Sequence, residues 1–319
     1  MKIVDLDGYG LNPGDLDWAG FKQLGDFSNY DRTPADPAVI AKRIGAAEAI
    51  LTNKTPITRD VLDACPSLRY IGVLATGFNV VDLVAAREHH VTVTNIPSYG
   101  TDAVAQHTFA LLLEITNQVG LHNNAIHAGE WTHAKDFTFW KRPLMELTGK
   151  TLGLIGAGNI SQAVAKRAHA FGMKVIFYNH RPKATDLPWF KQVPLQTVYE
   201  QADIISLHIP QTAENTGMIN AAALTQMKPG AILINTARGG LLDEAAVAAA
   251  LNAGKLGALG ADVVATEPIL ADNPLLTAKN CYLTPHIAWA PTETRARLMS
   301  IAVHNLASYQ AGQPSNVVS

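Results

Sequence analysis

Short apolar runs alternate along this chain with longer stretches in which apolar residues recur every three or four positions. Residues 3–6, 49–51, 70–74 and 91–95 are nearly continuous in apolar character and too short for helices, as strands buried on both faces are. Between them, residues 37–46 and 58–64 carry helical spacing. The rhythm starts afresh near residue 150, where residues 151–155, 174–178, 204–207, 231–235 and 259–263 form a second set of strands. Strands alternating with helices predict an α/β fold with two doubly wound parallel sheets.

Residues 102–119 are apolar and long enough for a helix of several turns, either a core helix or one that meets a second domain or subunit. Residues 120–147 are polar and aromatic-rich, with His122, His127, Trp131, His133 and Trp140, and read as an irregular arm. After Pro285-His286 a helix over 292–310 is expected to return to the first domain. The expected domains are therefore 1–100 plus 288–319, and 101–287.

Composition narrows the partners. The chain has 319 residues, 48% hydrophobic and 16% charged, an ordinary globular balance spread over more than one core. Its formal net charge of -2 gives no field to attract nucleic acid or an acidic membrane. An anionic substrate must be held by local charges. Cys65 and Cys281 form no CxxC pair, so a reduced, cytoplasmic protein with no metal centre is expected. The N-terminus shows no apolar signal-peptide core, and no run of 18 apolar residues is present.

A glycine turn supplies the first chemistry. The strand at 151–155 runs into Gly156-Ala157-Gly158-Asn159-Ile160-Ser161, and an alanine-rich helix follows. Glycines there permit a tight turn and close approach of backbone to a pyrophosphate, which the helix N-terminus attracts. Strand, turn and helix together point to a Rossmann-like dinucleotide site rather than a bare structural turn. Ser161 occupies the third glycine position, where a small side chain suffices. An acid commonly meets the ribose 2′-hydroxyl about 20 residues on. Here Asn179 stands in its place, followed by His180, Arg181 and Lys183. That basic turn leans towards NADP, or use of both NAD and NADP.

Three ionisable groups follow apparent strands of the same half: Arg238, Glu267 and His286. In doubly wound sheets, ligands bind at the carboxyl ends of strands. Arg238 has a planar fork of donors for a carboxylate and an adjacent carbonyl. His286 is a proton donor titrating near working pH, and Glu267 beside it favours the charged imidazole and fixes its orientation. Singly, each has a structural alternative, such as a salt-bridge arginine or a structural histidine.

Together, in this order, the three resemble the site of the D-isomer-specific 2-hydroxyacid dehydrogenases. The resemblance runs from Ala49 to His286 at least. It implies two Rossmann-like domains with a cleft between them. It also implies that Leu74-Ala75-Thr76-Gly77 is the substrate loop and that Val104 and Thr108 lie on the interdomain helix. Further cofactor contacts implied by it are Thr76, Asn159, Ile160, Ile209, Pro210, Thr236, Ala237 and Asp262, with Asp262 on the nicotinamide carboxamide or else acting as a turn cap. Trp289, after the histidine, walls the substrate pocket or fills a core. Ser161, Asn179 and Gln106 depart from the family pattern. The wording looks closest to the glycerate dehydrogenase and hydroxypyruvate reductase branch, which converts hydroxypyruvate or glyoxylate to D-glycerate or glycolate. A homodimer is the implied assembly. The alternatives are a formate- or phosphite-type dehydrogenase on the same fold, and a cofactor-sensing corepressor-like protein without turnover. The intact arginine, glutamate and histidine argue against the last.

Overall fold

Each strand expected from an apolar run is a strand in a computed structural model that describes residues 1–319. The chain divides into two units, Met1–Gly100 with Trp289–Ser319, and Thr101–Ala288.

The first unit contains β1 (Lys2–Asp5), β2 (Asp26–Asn29), β3 (Ala49–Thr52), β4 (Tyr70–Val73) and β5 (Thr92–Thr94). They form one parallel sheet in the order β2-β1-β3-β4-β5. β3 and β4 are buried along their whole length, which is why they read as unbroken apolar runs. β2 escapes the apolar pattern because it is an edge strand of sequence Asp-Phe-Ser-Asn. The helix Pro37–Ile44 starts where the Asp36 carboxylate accepts from the amides of Ala38 and Val39. It stops at Gly45, whose φ of +54° suits glycine. The last helix, Thr292–Gln310, buries Leu298, Met299, Ala302 and Leu306 in one cluster with Ile3, Phe21, Leu51 and Tyr70. The chain then runs antiparallel along the free edge of β5. Val318 N–H donates to Val93 O at 2.9 Å, and Val93 N–H to Ser319 Oγ at 3.1 Å.

The second unit contains β6 (Thr151–Ile155), β7 (Lys174–Tyr178), β8 (Lys191–Gln192), β9 (Ile204–Leu207), β10 (Ala231–Asn235), β11 (Leu256–Ala261) and β12 (Cys281–Leu283). The sheet order is β12-β11-β10-β9-β6-β7-β8, all parallel. Chain order reverses at β6, so the turn leaving β6 sits at the topological switch point. The helix Thr101–Asn117 is a core helix of this unit. Its Phe109, Leu111, Leu112 and Ile115 are buried with Leu154, Val164 and Ile234. Gly260 on β11 admits it, since a Cβ there would lie only 3.1 Å from Ile115 and Leu111.

Two expectations need correction. The stretch 120–147 is not irregular from its start, because Val119–His127 is a second helix entered through Gln118 at φ +53°. Gly120, Asn123 and Asn124 are weak helix formers and only Ala125 is buried, so neither propensity nor periodicity announces it. β11 also begins earlier and ends sooner than the expected 259–263. Gly257 and Gly260 dilute its apolar run, and Asp262 already belongs to the loop beyond.

Candidate active site

The carboxyl ends of six strands carry the predicted site residues of the second unit. Gly156 leaves β6 at φ +109°, and a Cβ on it would fall 2.3 Å from His208 O, so only glycine fits the turn. Gly158 differs. It is the N-cap of the helix Asn159–Ala170, and a Cβ there would meet nothing within 4 Å. Protein packing does not require that glycine, whereas close approach of a phosphate to the helix N-terminus does. Ser161 is fully buried and its hydroxyl donates to Gly156 O at 2.6 Å, which bonds the serine into the turn. Ile160 packs against the core beneath it. These residues fit a bound dinucleotide.

The ends of β9 and β7 frame this turn. Ile209 lies against Gly156, and Pro210 O accepts from the Asn215 side chain at 2.9 Å. His208 shares a hydrogen bond of 2.9 Å with Ser206 Oγ, and burial pushes its pKa down to about 3, so the imidazole is neutral. Beyond β7, Asn179 donates to Arg181 O at 2.8 Å. Gln192 then holds the same turn by donating to Asn179 O and Arg181 O and accepting from Lys183 N–H. His180 and Arg181 are exposed there.

Arg238 follows β10. Asn235 braces its turn from inside, accepting from Ala237 N–H and donating to Arg238 O at 2.9 Å. The exposed guanidinium gives one bond to Ala237 O and keeps its other donors for a ligand. Thr236 Oγ lies 3.0 Å from Thr108 Oγ, and the Thr108 hydroxyl donates to Val104 O, so three expected cofactor contacts meet. Gly239 packs tightly on the loop after β11: a Cβ there would lie 1.9 Å from the Val264 carbonyl carbon. Val264 N–H in turn donates to Glu267 Oε1 at 3.3 Å, and Glu267 Oε2 meets His286 Nδ1 at 2.7 Å. Arg238, Glu267 and His286 thus stand in the loops after three neighbouring strands, joined through one chain of contacts.

His286 has φ +55°, an uncommon conformation for a residue with a Cβ. Asp262 holds it there. Asp262 O accepts the His286 amide at 2.8 Å, and its carboxylate accepts the amides of Ile287 and Ala288, both at 2.8 Å, and the Thr284 hydroxyl at 2.6 Å. The side chain is 1% exposed. Burial works against its charge, but these bonds and one from His107 outweigh it and hold the pKa below the usual carboxylate range. Asp262 is therefore a cap on the histidine loop, with both oxygens engaged by protein. Sequence reasoning missed the parts of Thr284 and His107, although His107 lies between Gln106 and Thr108. Their role depends on a tertiary meeting that no spacing records.

In the first unit, Leu74 N–H donates to Thr52 O, so this amide of the expected substrate loop is already engaged. Ala75 O accepts from Ile96 N–H, and Thr76 is held by a bond from its hydroxyl to Ile96 O and one from Asn95 to its carbonyl. The amides of Ala75, Thr76 and Gly77 remain as candidate donors. Trp289 is partly buried and packs on the cluster around Leu11 and Ile96.

The model of the D-isomer specific 2-hydroxyacid dehydrogenase NAD binding domain matches residues 109–288. A hydroxypyruvate reductase from Blautia hydrogenotrophica is 51% identical, over 100% of this chain and 99% of its own length. A glycerate dehydrogenase from Methylorubrum extorquens is 39% identical, over 99% and 98%. A solved NADPH-dependent glyoxylate/hydroxypyruvate reductase from Sinorhizobium meliloti, in complex with NADP and malonate, is 29% identical over 100% and 96% with a TM-score of 0.84.

Proposed function

The chain belongs to the D-isomer-specific 2-hydroxyacid dehydrogenase family, and from that premise we propose that it reduces hydroxypyruvate and glyoxylate to D-glycerate and glycolate. The observation that carries the mechanism is the 2.7 Å bond from His286 Nδ1 to the Glu267 carboxylate. It fixes the ring and leaves Nε2 for the substrate, so His286 delivers a proton to the carbonyl oxygen. Arg238 holds the substrate carboxylate and polarises the neighbouring carbonyl. A bound NADH or NADPH supplies the hydride. The Ala75, Thr76 and Gly77 amides are the groups of the first unit that we assign to the substrate, with Trp289 restricting its side chain. His180 and Arg181 are assigned to the adenosine ribose, where they favour a 2′-phosphate.

The relatives' names support this substrate class. The test is a panel of 2-oxo acids, hydroxypyruvate, glyoxylate and pyruvate, each with NADH and NADPH. Turnover highest with hydroxypyruvate or glyoxylate is expected, and silence across the panel would overturn the reading. We also propose a homodimer formed through the segment after Gln118. Val119, Trp131, Phe137, Trp140 and Leu144 are all at least half exposed there, with Phe137 at 88%. Sedimentation at micromolar concentration checks it. The two free cysteines agree with a reducing cytoplasm.

A further inference from the structure

We propose that His107 is a positioning residue for the proton donor His286, acting through Thr284 and Asp262. His107 stands on the core helix Thr101–Asn117, outside the three residues that do the chemistry. Its Nε2 lies 2.9 Å from Thr284 Oγ and 3.4 Å from Asp262 Oδ1.

The direction of these bonds follows from counting protons. Thr284 has one hydroxyl proton, and its oxygen lies 2.6 Å from Asp262 Oδ1. Two oxygens that close repel unless a proton lies between them, so the threonine donates to the carboxylate. Thr284 Oγ can then only accept from His107, and Nε2 must carry hydrogen. A donor chain runs from His107 through Thr284 to Asp262, and Asp262 caps Ile287 and Ala288 and accepts the His286 amide. The conformation at His286, φ +55°, is one the chain disfavours and must be held by its surroundings. His107 is 17% exposed, so water replaces its donor poorly. Removing that donor frees Thr284 to rotate, weakens the cap and lets the imidazole drift from the place Glu267 gives it. A displacement near 1 Å at a reacting group can cost ~10²-fold in rate.

The inference rests on the proposed role of His286, so the experiment has an arm that does not need turnover. His107→Phe keeps the ring's bulk and removes the donor; His107→Gln keeps an N–H near the Nε2 position. Hydrogen exchange on both, with bound NADH, should show loss of protection at the Ile287 and Ala288 amides in His107→Phe and recovery in His107→Gln. Reduction assays should show kcat lower by about 10- to 100-fold in His107→Phe. The NADH dissociation constant should stay within about threefold of wild type, a ratio small on the scale of a tenfold change per 1.4 kcal/mol. His107→Gln should recover most of the rate. Unchanged amide protection in His107→Phe, or a rate loss that His107→Gln does not relieve, would overturn the positioning role. If wild type is silent on the substrate panel while the exchange pattern appears as expected, the functional reading falls and the loop-holding role stands.

Discussion

His286 combines an uncommon backbone conformation with a 2.7 Å bond to Glu267, and each feature depends on a neighbour. The roles assigned to the pair make separable predictions. His286→Gln keeps a polar group of similar reach but cannot deliver the proton, so kcat should fall by ~10²–10⁴-fold. NADH affinity, followed by fluorescence titration, should be unchanged. Glu267→Gln removes the carboxylate that accepts from His286 Nδ1 at 2.7 Å and so orients the ring, and kcat should fall by at least about tenfold. An unchanged kcat would count against the pairing. Gly239→Ala tests the packing between Arg238 and the loop that carries Glu267. A Cβ 1.9 Å from Val264 forces one of them to move, and kcat/KM should drop at least about tenfold even where the thermal midpoint changes little. The residue types were legible in the sequence because a guanidinium, a carboxylate and an imidazole each follow an apolar run of the same half. The cap by Asp262 was visible only as one of two alternatives, since nothing in a linear spacing shows which acceptors a buried carboxylate already serves.

Elements were legible where they were apolar. β3, β4, β9 and β10 are buried throughout, and burial on both faces leaves a continuous apolar run. β2 and β8 are edge strands with polar sequences and gave no such run. The helix Val119–His127 stayed hidden because one buried residue makes no stripe. The strand-like course of the C-terminal tail is a tertiary event, fixed by hydrogen bonds to the edge of β5. Deleting residues 316–319 removes those bonds, each worth about 1 kcal/mol net, and uncovers a strand edge. The thermal midpoint should fall, and light scattering on heating should begin at lower temperature than in the full chain.

For the molecule as a whole, acid stability follows from a histidine the chemistry does not use. Desolvation pushes the His208 pKa down to about 3 in the folded protein, whereas an unfolded histidine titrates near 6.5. The unfolded chain therefore binds the proton first as pH drops. The contribution of neutral His208 is fully present above about pH 6.5 and is lost as pH falls towards 3. Urea midpoints measured across that range should decline, and His208→Gln should flatten the decline. By itself the sequence determined that two parallel sheets alternate with helices, that a glycine turn receives a dinucleotide, and that an arginine, a glutamate and a histidine follow strands of one half. Those are local properties: apolar run length, backbone freedom and side-chain chemistry are written in consecutive residues. Only the tertiary structure decided that β10, β11 and β12 are neighbours, that Glu267 meets Nδ1 rather than Nε2, and that Asp262 is buried as a cap. Strand order and hydrogen-bond geometry arise from contacts between residues tens of positions apart, and such contacts exist only once the chain has folded.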